Sequence, residues 1–355
     1  MPSATSAPSA AAKTSTSGPS GEEIVMQMTM GHVQSAAIHI AAKLGIADLL
    51  ANGPRRVGEL AKKTSVNEDA LYRVLRALAS NGVFTESAPR TFALTPAAEC
   101  LRKDQRGSLR DFVLFLTNPL HYKIWPELMH SVKTGETLAE RVLGKNIFEY
   151  FAAEPEEGAL FHSAMTNFSE VVIAAALKAY DFSGIGTLVD VAGGHGMVLT
   201  AILQKYPAMK GILCDLAEVI PGAQQRIRSL GLENRCRAEV ADFFKSVPAG
   251  GDAYIMKHII HDWNDQQCTT ILRNCLHALT AAGKKKGKVL LLESVISADN
   301  APHFAKWLDL EMLVFPGGRE RTQAEFAALF EGAGFKLTRV VPTESPLCVI
   351  EAMVR

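Results

Sequence analysis

Apolar positions along the chain change their period twice. From Ile24 to Leu50 they fill almost every face of a helix (I-V-M-Q-M-T-M, then A-A-I-H-I-A-A-K-L-G-I-A-D-L-L). Such a segment must be buried, in its own core or against a second copy of the chain. From Val57 the period settles near that of an amphipathic helix. Val57–Lys63 and Glu68–Ser80 read as two helices, the second capped by Asn67 and striped by Leu71, Val74, Leu75 and Leu78. Val83–Thr85 and Thr91–Leu94 read as a hairpin about Ser87–Arg90, which completes a winged helix. Leu109 to Ala176 reads as helical throughout, with an aromatic stripe that includes Phe115, Trp125, Phe151 and Phe161. Such a stripe is core, or one wall of a ligand pocket.

After Gly186 the pattern becomes short apolar runs alternating with helical ones. Thr187–Val191 reads as a buried parallel strand, apolar on both faces, and Gly211–Asp215, Cys236–Val240, Ala253–Met256 and Lys288–Leu292 read as the strands that follow it. Phe335–Val341 and Leu347–Met353 follow as an antiparallel pair that closes the sheet. The expectation is an α/β fold in which a doubly wound sheet follows a helical winged-helix domain.

Composition narrows the choice of partners. The 355 residues carry 37 basic and 37 acidic side chains, so no net field draws nucleic acid or an anionic membrane. A DNA-binding regulator remains a rival reading of the winged helix. Arg73 and Arg76 could touch phosphates, but Glu68, Asp69 and Glu86 offset them. No apolar run approaches the ~20 residues of a membrane span. Residues 1–20, rich in Ser, Ala, Thr and Pro, read as a disordered tail and not a signal peptide. Six scattered cysteines without a C-x-x-C suggest reduced thiols and a cytoplasmic protein.

The chemistry gathers at the carboxyl ends of the strands. Asp190 closes the first, and Gly193, Gly194 and Gly196 turn the chain into a helix, as in a nucleotide-binding βαβ unit. A dinucleotide fingerprint requires a small residue where Leu199 stands. The form D-x-A-x-G-x-G is closer to a loop that holds S-adenosylmethionine; a tight turn with no ligand stays open. Asp215 ends the second strand, where an acid accepts hydrogen bonds from a ribose. Asp242 and Phe243 follow the third and are suited to an adenine amino group and ring face. Lys257 and Glu293 end the fourth and fifth. Beyond Lys257, K-H-I-I-H-D-W-N-D-Q-Q-C places His261 in a turn before a helix started by an Asn264/Gln267 capping box and a Trp263/Cys268 staple. His258 and His261 could be a metal pair, but no third ligand has obvious spacing.

These segments together resemble the S-adenosylmethionine-dependent small-molecule O-methyltransferases: the plant caffeate and flavonoid type, with acetylserotonin and bacterial polyketide relatives. The resemblance runs from about Ile24 to the C-terminus. It rests on V-D-V-A-G-G-H-G, C-D-L, A-D-F-F, K-H-I-I-H-D-W, D-L-E-M-L and G-G-R-E-R-T in that order. It implies a Rossmann-like methyltransferase sheet, S-adenosylmethionine as cofactor, a small aromatic hydroxylated acceptor, a homodimer and no metal. Asp190, Ala192, Gly193 and Gly194 would then meet the methionyl and ribose parts of the cofactor. Asp215 with Leu216 would hold the ribose diol, Asp242 and Phe243 the adenine, and Lys257 would lie near the adenosine. His261 would be the general base, flanked by Glu293 and Glu320; Met165, Met312 and Trp263 would line the acceptor. Ala192 replaces the family's usual first glycine, which is tolerable at a negative φ. Lys284–Lys286 looks like a small solvated insertion. The implied divisions are a tail over 1–22, a dimerisation domain over 23–108, a helical substrate cap over 109–180 and a catalytic domain over 181–355. Transfer to nitrogen, sulfur or carbon stays open on the same fold.

Overall fold

A computed structural model describes residues 18–283 and 286–355. Most of the expected tail lies outside the described residues, as do Lys284 and Lys285 of the expected insertion. Ser20 and Glu23 form a capping box, so helix α1 (Gly21–Thr29) starts two residues inside the segment expected to be tail.

The winged helix is present. It comprises α2 (Gly31–Lys43), α3 (Ile46–Leu49), β1 (Arg55–Arg56), α4 (Val57–Thr64), α5 (Glu68–Ser80), β2 (Phe84–Ala88), β3 (Thr91–Leu94) and α6 (Pro96–Glu99). Asn67 caps α5 through a 2.9 Å bond from the Ala70 amide. Leu71, Leu75 and Leu78 bury their stripe against Leu60, Phe84 and Phe92. In the apolar segment expected to be buried, the buried residues are Ala41, Ala42, Ile46, Ala47 and Leu50; α1 buries none of its residues within one chain.

The stretch expected to be continuously helical is six helices: α7 (Arg110–Leu116), α8 (Pro119–Ile124), α9 (Leu128–Thr134), α10 (Leu138–Leu143), α11 (Ile147–Ala153) and α12 (Pro155–Ala179). Prolines at helix starts and left-handed Gly135 and Gly144 at helix ends break it. By length and composition α12 reaches the threshold of a membrane span, contrary to expectation. Its many alanines raise its apolarity, yet it buries Phe168, Val172, Ile173 and Ala176 in the core of the sheet domain. Glu170 on its flank also accepts the Gly107 amide at 3.0 Å.

The rest of the chain builds β4 (Thr187–Val191), α13 (Met197–Lys205), β5 (Lys210–Asp215), α14 (Ile220–Ser229), β6 (Cys236–Val240), β7 (Ala253–Lys257), α15 (Asp265–Ala281), β8 (Lys288–Glu293), β9 (Val295–Ile296), α16 (Phe304–Val314), β10 (Arg321–Thr322), α17 (Gln323–Gly332), β11 (Phe335–Pro342) and β12 (Cys348–Val354). Seven of these strands form one sheet in the order β11-β12-β8-β7-β4-β5-β6. β4 to β8 are parallel and β12 runs antiparallel to both its neighbours. Both faces are covered, and side-chain alternation sorts the apolar runs between them. Leu188, Leu213, Ile255 and Leu290 pack with α12, α13 and α14, whereas Val189, Ile212, Tyr254 and Val289 pack with α15 and α17. The order reverses at β4, so the crevice of a doubly wound sheet lies at the carboxyl end of that strand.

Candidate active site

At that crevice the backbone takes its tightest turns. Ala192, Gly194 and Gly196 all have positive φ, at 54°, 57° and 81°. The condition under which alanine is tolerable at position 192, a negative φ, is therefore not met: the methyl group sits in the left-handed region, where a non-glycine residue is strained. A Cβ on Gly193 would come within 2.8 Å of Asp190 Oδ2, so this position admits only glycine without a shift. Asp190 is buried, and burial, then the nearby Asp215, push its carboxyl up to about 7. Asp215 accepts the amides of Gly194 at 2.8 Å and Leu216 at 2.7 Å; Leu216 itself is exposed.

Asp242 and Phe243 stand beyond β6. Asp242 accepts the Phe244 amide at 3.0 Å and pairs with Lys245 at 3.1 Å. The Phe243 ring lies against Phe244 and, at 6.0 Å, against Trp263. Trp263 is thus packed with the pair expected to read adenine, and touches Phe148 of α11 on its other side at 5.8 Å. The indole also lies 4.8 Å from the Phe244 ring, and Phe148 belongs with Met165 to the apolar cluster of the helical segment. Met165 is half-buried among the aromatics of the helical segment, and Met312 is buried on α16. Lys257 ends β7 with its ammonium 5.9 Å from the Phe168 ring, and burial lowers its pKa to about 8.

His261 lies in a short 3-10 turn, Ile260–Asp262, between β7 and α15. Its Nδ1 is 2.7 Å from Glu320 Oε1 and 3.8 Å from Glu293 Oε2. Its Nε2 is 3.5 Å from Asp262 Oδ1. Glu293 is locked by the amides of Ile259 and Ile260, both on its Oε1, at 3.0 and 2.9 Å. Glu320 arrives through a parallel two-residue pairing of β10 with β9, just after Glu293, which sets the two carboxylates side by side. Burial raises both; in Glu320 burial and Asp309 push it up to about 8.

Several participants were not singled out for these roles from the sequence. Asp262 is pushed up to about 7 by burial, against the lowering influence of His261. Asp309 of α16 accepts the Glu320 amide at 2.8 Å. Arg321, 1% exposed, donates to the carbonyls of Ile260 and Trp263 and to Asp265, and so fixes the turn that carries His261. His258 has φ 53° and stacks between Phe168 and His261. An acid directly after His261 and an arginine directly after Glu320 were the available signals.

His258 and His261 do have a third group beside them, contrary to expectation: Glu293, with one ligand atom of each within 4.8 Å of the others. The two rings, however, lie face to face at 4.4 Å and 27°. Their in-plane lone pairs therefore run side by side and do not converge, which suits stacking better than coordination.

Among the described residues, the buried side-chain polar atoms without a hydrogen-bond partner are Asp190 Oδ2, His258 Nε2, Glu293 Oε2 and Glu320 Oε2. All four belong to residues at the carboxyl ends of the strands or in the histidine cluster beside them. Buried polar groups are nearly always paired, so such a concentration marks a site completed by ligands.

The comparisons with known proteins agree with this geometry. An O-methyltransferase domain model matches residues 125–336, and an O-methyltransferase dimerisation domain model matches residues 26–104. The chain belongs to the O-methyltransferase family, and it is an enzyme that uses S-adenosylmethionine. It is 43% identical to a phenazine O-methyltransferase of Lysobacter antibioticus, over 93% of this chain and 95% of that one. It is 34% identical to a mitomycin biosynthesis 6-O-methyltransferase of Streptomyces lavendulae, over 93% and 94%. An O-methyltransferase from neocarzinostatin biosynthesis, solved with S-adenosyl-L-homocysteine and 1,4-dihydroxy-2-naphthoic acid, superposes with a TM-score of 0.73. It shares 31% identity, over 90% of this chain and 96% of that one. The residues present fit the cofactor: an unpaired Asp190 oxygen, a glycine turn open to close approach, and the carboxylates of Asp215 and Asp242 along one edge.

Proposed function

We propose that this enzyme methylates a phenolic hydroxyl of a small, flat aromatic natural product, using His261 as general base and no metal ion, and that it acts as a homodimer in the cytoplasm. The observation that carries the reading is the His261 environment. Glu320 holds Nδ1, so the imidazole tautomer with its proton on Nδ1 keeps a lone pair on Nε2. Free, mostly buried thiols fit a reducing compartment.

S-adenosylmethionine supplies the electrophilic methyl group and leaves as the neutral thioether S-adenosylhomocysteine. The protein has two tasks, alignment and proton removal. Asp190 and the glycine turn receive the methionyl end, Asp215 and Leu216 the ribose, Asp242 and Phe243 with Trp263 the adenine, and Lys257 the adenosine edge. Met165 and Met312 flank the acceptor ring. Holding the hydroxyl oxygen in line with the methyl carbon is worth ~7–11 kcal/mol. A free phenol has a pKa near 10, too high for spontaneous ionisation at neutral pH, so Nε2 of His261 takes the proton as the O–C bond forms. Glu320 and Glu293 then stabilise the imidazolium.

The test is methyl transfer to a panel of hydroxylated naphthalenes and phenazines, with and without EDTA. His261→Gln is expected to bind S-adenosylhomocysteine as the wild type does and to lose roughly 10²–10⁴-fold in turnover. Full turnover in that variant overturns the base assignment, and loss of wild-type activity in EDTA overturns the metal-free reading.

A further inference from the structure

A second buried His–Glu pair lies outside the catalytic cluster. His121 of α8 is buried, with Nε2 2.7 Å from Glu311 Oε1 of α16. Its Nδ1 is 2.9 Å from Asn118 Oδ1, and that same oxygen accepts the His121 amide at 3.1 Å. The Asn118 amide nitrogen donates to Glu157 at 2.8 Å, which fixes the orientation of its side chain. Asn118 therefore offers only its oxygen to the ring, so His121 Nδ1 must be the donor. The remaining contact joins Nε2 to a carboxylate oxygen, and it needs one more proton on one side or the other.

Two routes tie this pair to the acceptor side of the active site. On α16, Glu311 directly precedes Met312 and follows Asp309 by two residues; Asp309 holds the Glu320 backbone. On the helical side, ring contacts run without a gap to the cofactor loop. They pass from Phe315 to His121 at 4.5 Å, to Phe115 at 5.2 Å, to Phe161 at 5.5 Å, to His162 at 5.4 Å and to His195 at 5.7 Å. Glu311 is half-buried, and its Oε2 has no hydrogen-bond partner among the described residues although Oε1 is committed to His121. A carboxylate held at one oxygen and free at the other, beside aromatic side chains, is a fixed acceptor with one oxygen left for a ligand donor.

Building on the proposed acceptor class, we propose that Glu311, oriented by His121 and Asn118, is the specificity-determining residue of the acceptor site. It selects aromatic acceptors that carry an N–H or O–H donor on the ring edge remote from the methylated hydroxyl. An acceptor with a bare apolar edge leaves the carboxylate desolvated and unpaired, and is rejected for that reason.

The probes are 5-amino-1-naphthol and 1-naphthol, titrated by fluorescence into the enzyme saturated with S-adenosylhomocysteine, and then assayed for methyl transfer with S-adenosylmethionine. The wild type is expected to bind the amino compound at least tenfold more tightly. In Glu311→Leu that ratio falls to near one; in Glu311→Gln, which keeps a hydrogen-bonding group of the same size, it takes an intermediate value. His121→Phe, which frees the carboxylate to move, lowers the ratio through KM and not kcat. Equal affinity of the two probes for the wild type, or an unaltered ratio in Glu311→Leu, overturns the proposal. Binding is read separately from turnover, so a ratio that collapses as expected in an enzyme that methylates neither probe would count against the phenol reading and not against the anchor.

Discussion

Two residues in the crevice hold their function at an energetic cost. Ala192 places a methyl group at φ 54°, a strain of roughly 1–2 kcal/mol. A glycine there relieves it but loses roughly 0.4–1 kcal/mol through a freer unfolded chain. Ala192→Gly is therefore expected to raise stability slightly, by up to about 1 kcal/mol, and to bind S-adenosylhomocysteine at least as tightly; thermal unfolding and calorimetry read both. Glu320 is the second case. Burial and Asp309 raise its folded pKa from 4.5 to about 8, so the folded state holds a proton that the unfolded chain has already released. That contribution to stability is full below 4.5 and is lost as pH rises to about 8. Activity runs the other way, because a protonated Glu320 no longer carries the charge that stabilises the His261 imidazolium. The expected kcat profile rises with pH toward about 8. Glu320→Gln should lower kcat at every pH and flatten both the acid limb and the decline of stability between pH 4.5 and about 8. An acid limb that survives the substitution would assign it to another group, with Asp262, at about 7, the first candidate.

At the scale of elements, the site depends on short pieces that bring distant loops together. Gly318 passes so close to the histidine turn that a Cβ there would lie 2.0 Å from the His261 carbonyl oxygen, and the next amide, Arg319, bonds that oxygen at 2.8 Å. Gly318→Ala cannot be accommodated by a rotamer change, because the obstacle is backbone. It is expected to displace the His261 turn and cost at least tenfold in kcat, while S-adenosylhomocysteine binding at the far end of the crevice falls much less. Equal loss of both would mean general unfolding. Such contacts also mark the limit of what the sequence discloses. The five parallel strands were legible almost to the residue because four of them are short apolar runs and all alternate with helical segments, and Asn67 and Asn264 announced the helices that follow them. The pairing of β9 with β10 was not legible: two residues have no period, and only tertiary packing makes them strands. Arg321 escaped for a related reason, since a lone arginine reads as surface until the three loop groups that satisfy it are assembled around it. The φ at Ala192 was left open by the sequence because alanine gives no sign of the turn that its glycine neighbours impose.

For the whole molecule, the decisive feature is the N-terminal helix. α1 has nine residues and a complete capping box, yet none of its side chains is buried in the single chain. A helix that short is not stable on its own in water, so tertiary or quaternary packing must support it. Val25, Met26 and Met28 are 64%, 60% and 59% exposed, and Met30, Val33 and Ile40 extend the same apolar surface along α2. The matched dimerisation domain model begins at residue 26, inside this helix. The expected cover is a second copy of the chain, as in the homodimer proposed above, since apolar area of this kind is what a permanent homodimer buries. The expected mass in solution, by light scattering during gel filtration, is about twice the 38.4 kDa of one chain. Val25→Glu with Met28→Glu places charges in the seam and should give a monomer with a lower and concentration-independent unfolding temperature, whereas the wild-type midpoint should rise with protein concentration. A wild-type protein that runs as a monomer at micromolar concentration, with α1 still helical, would require a different cover for this face.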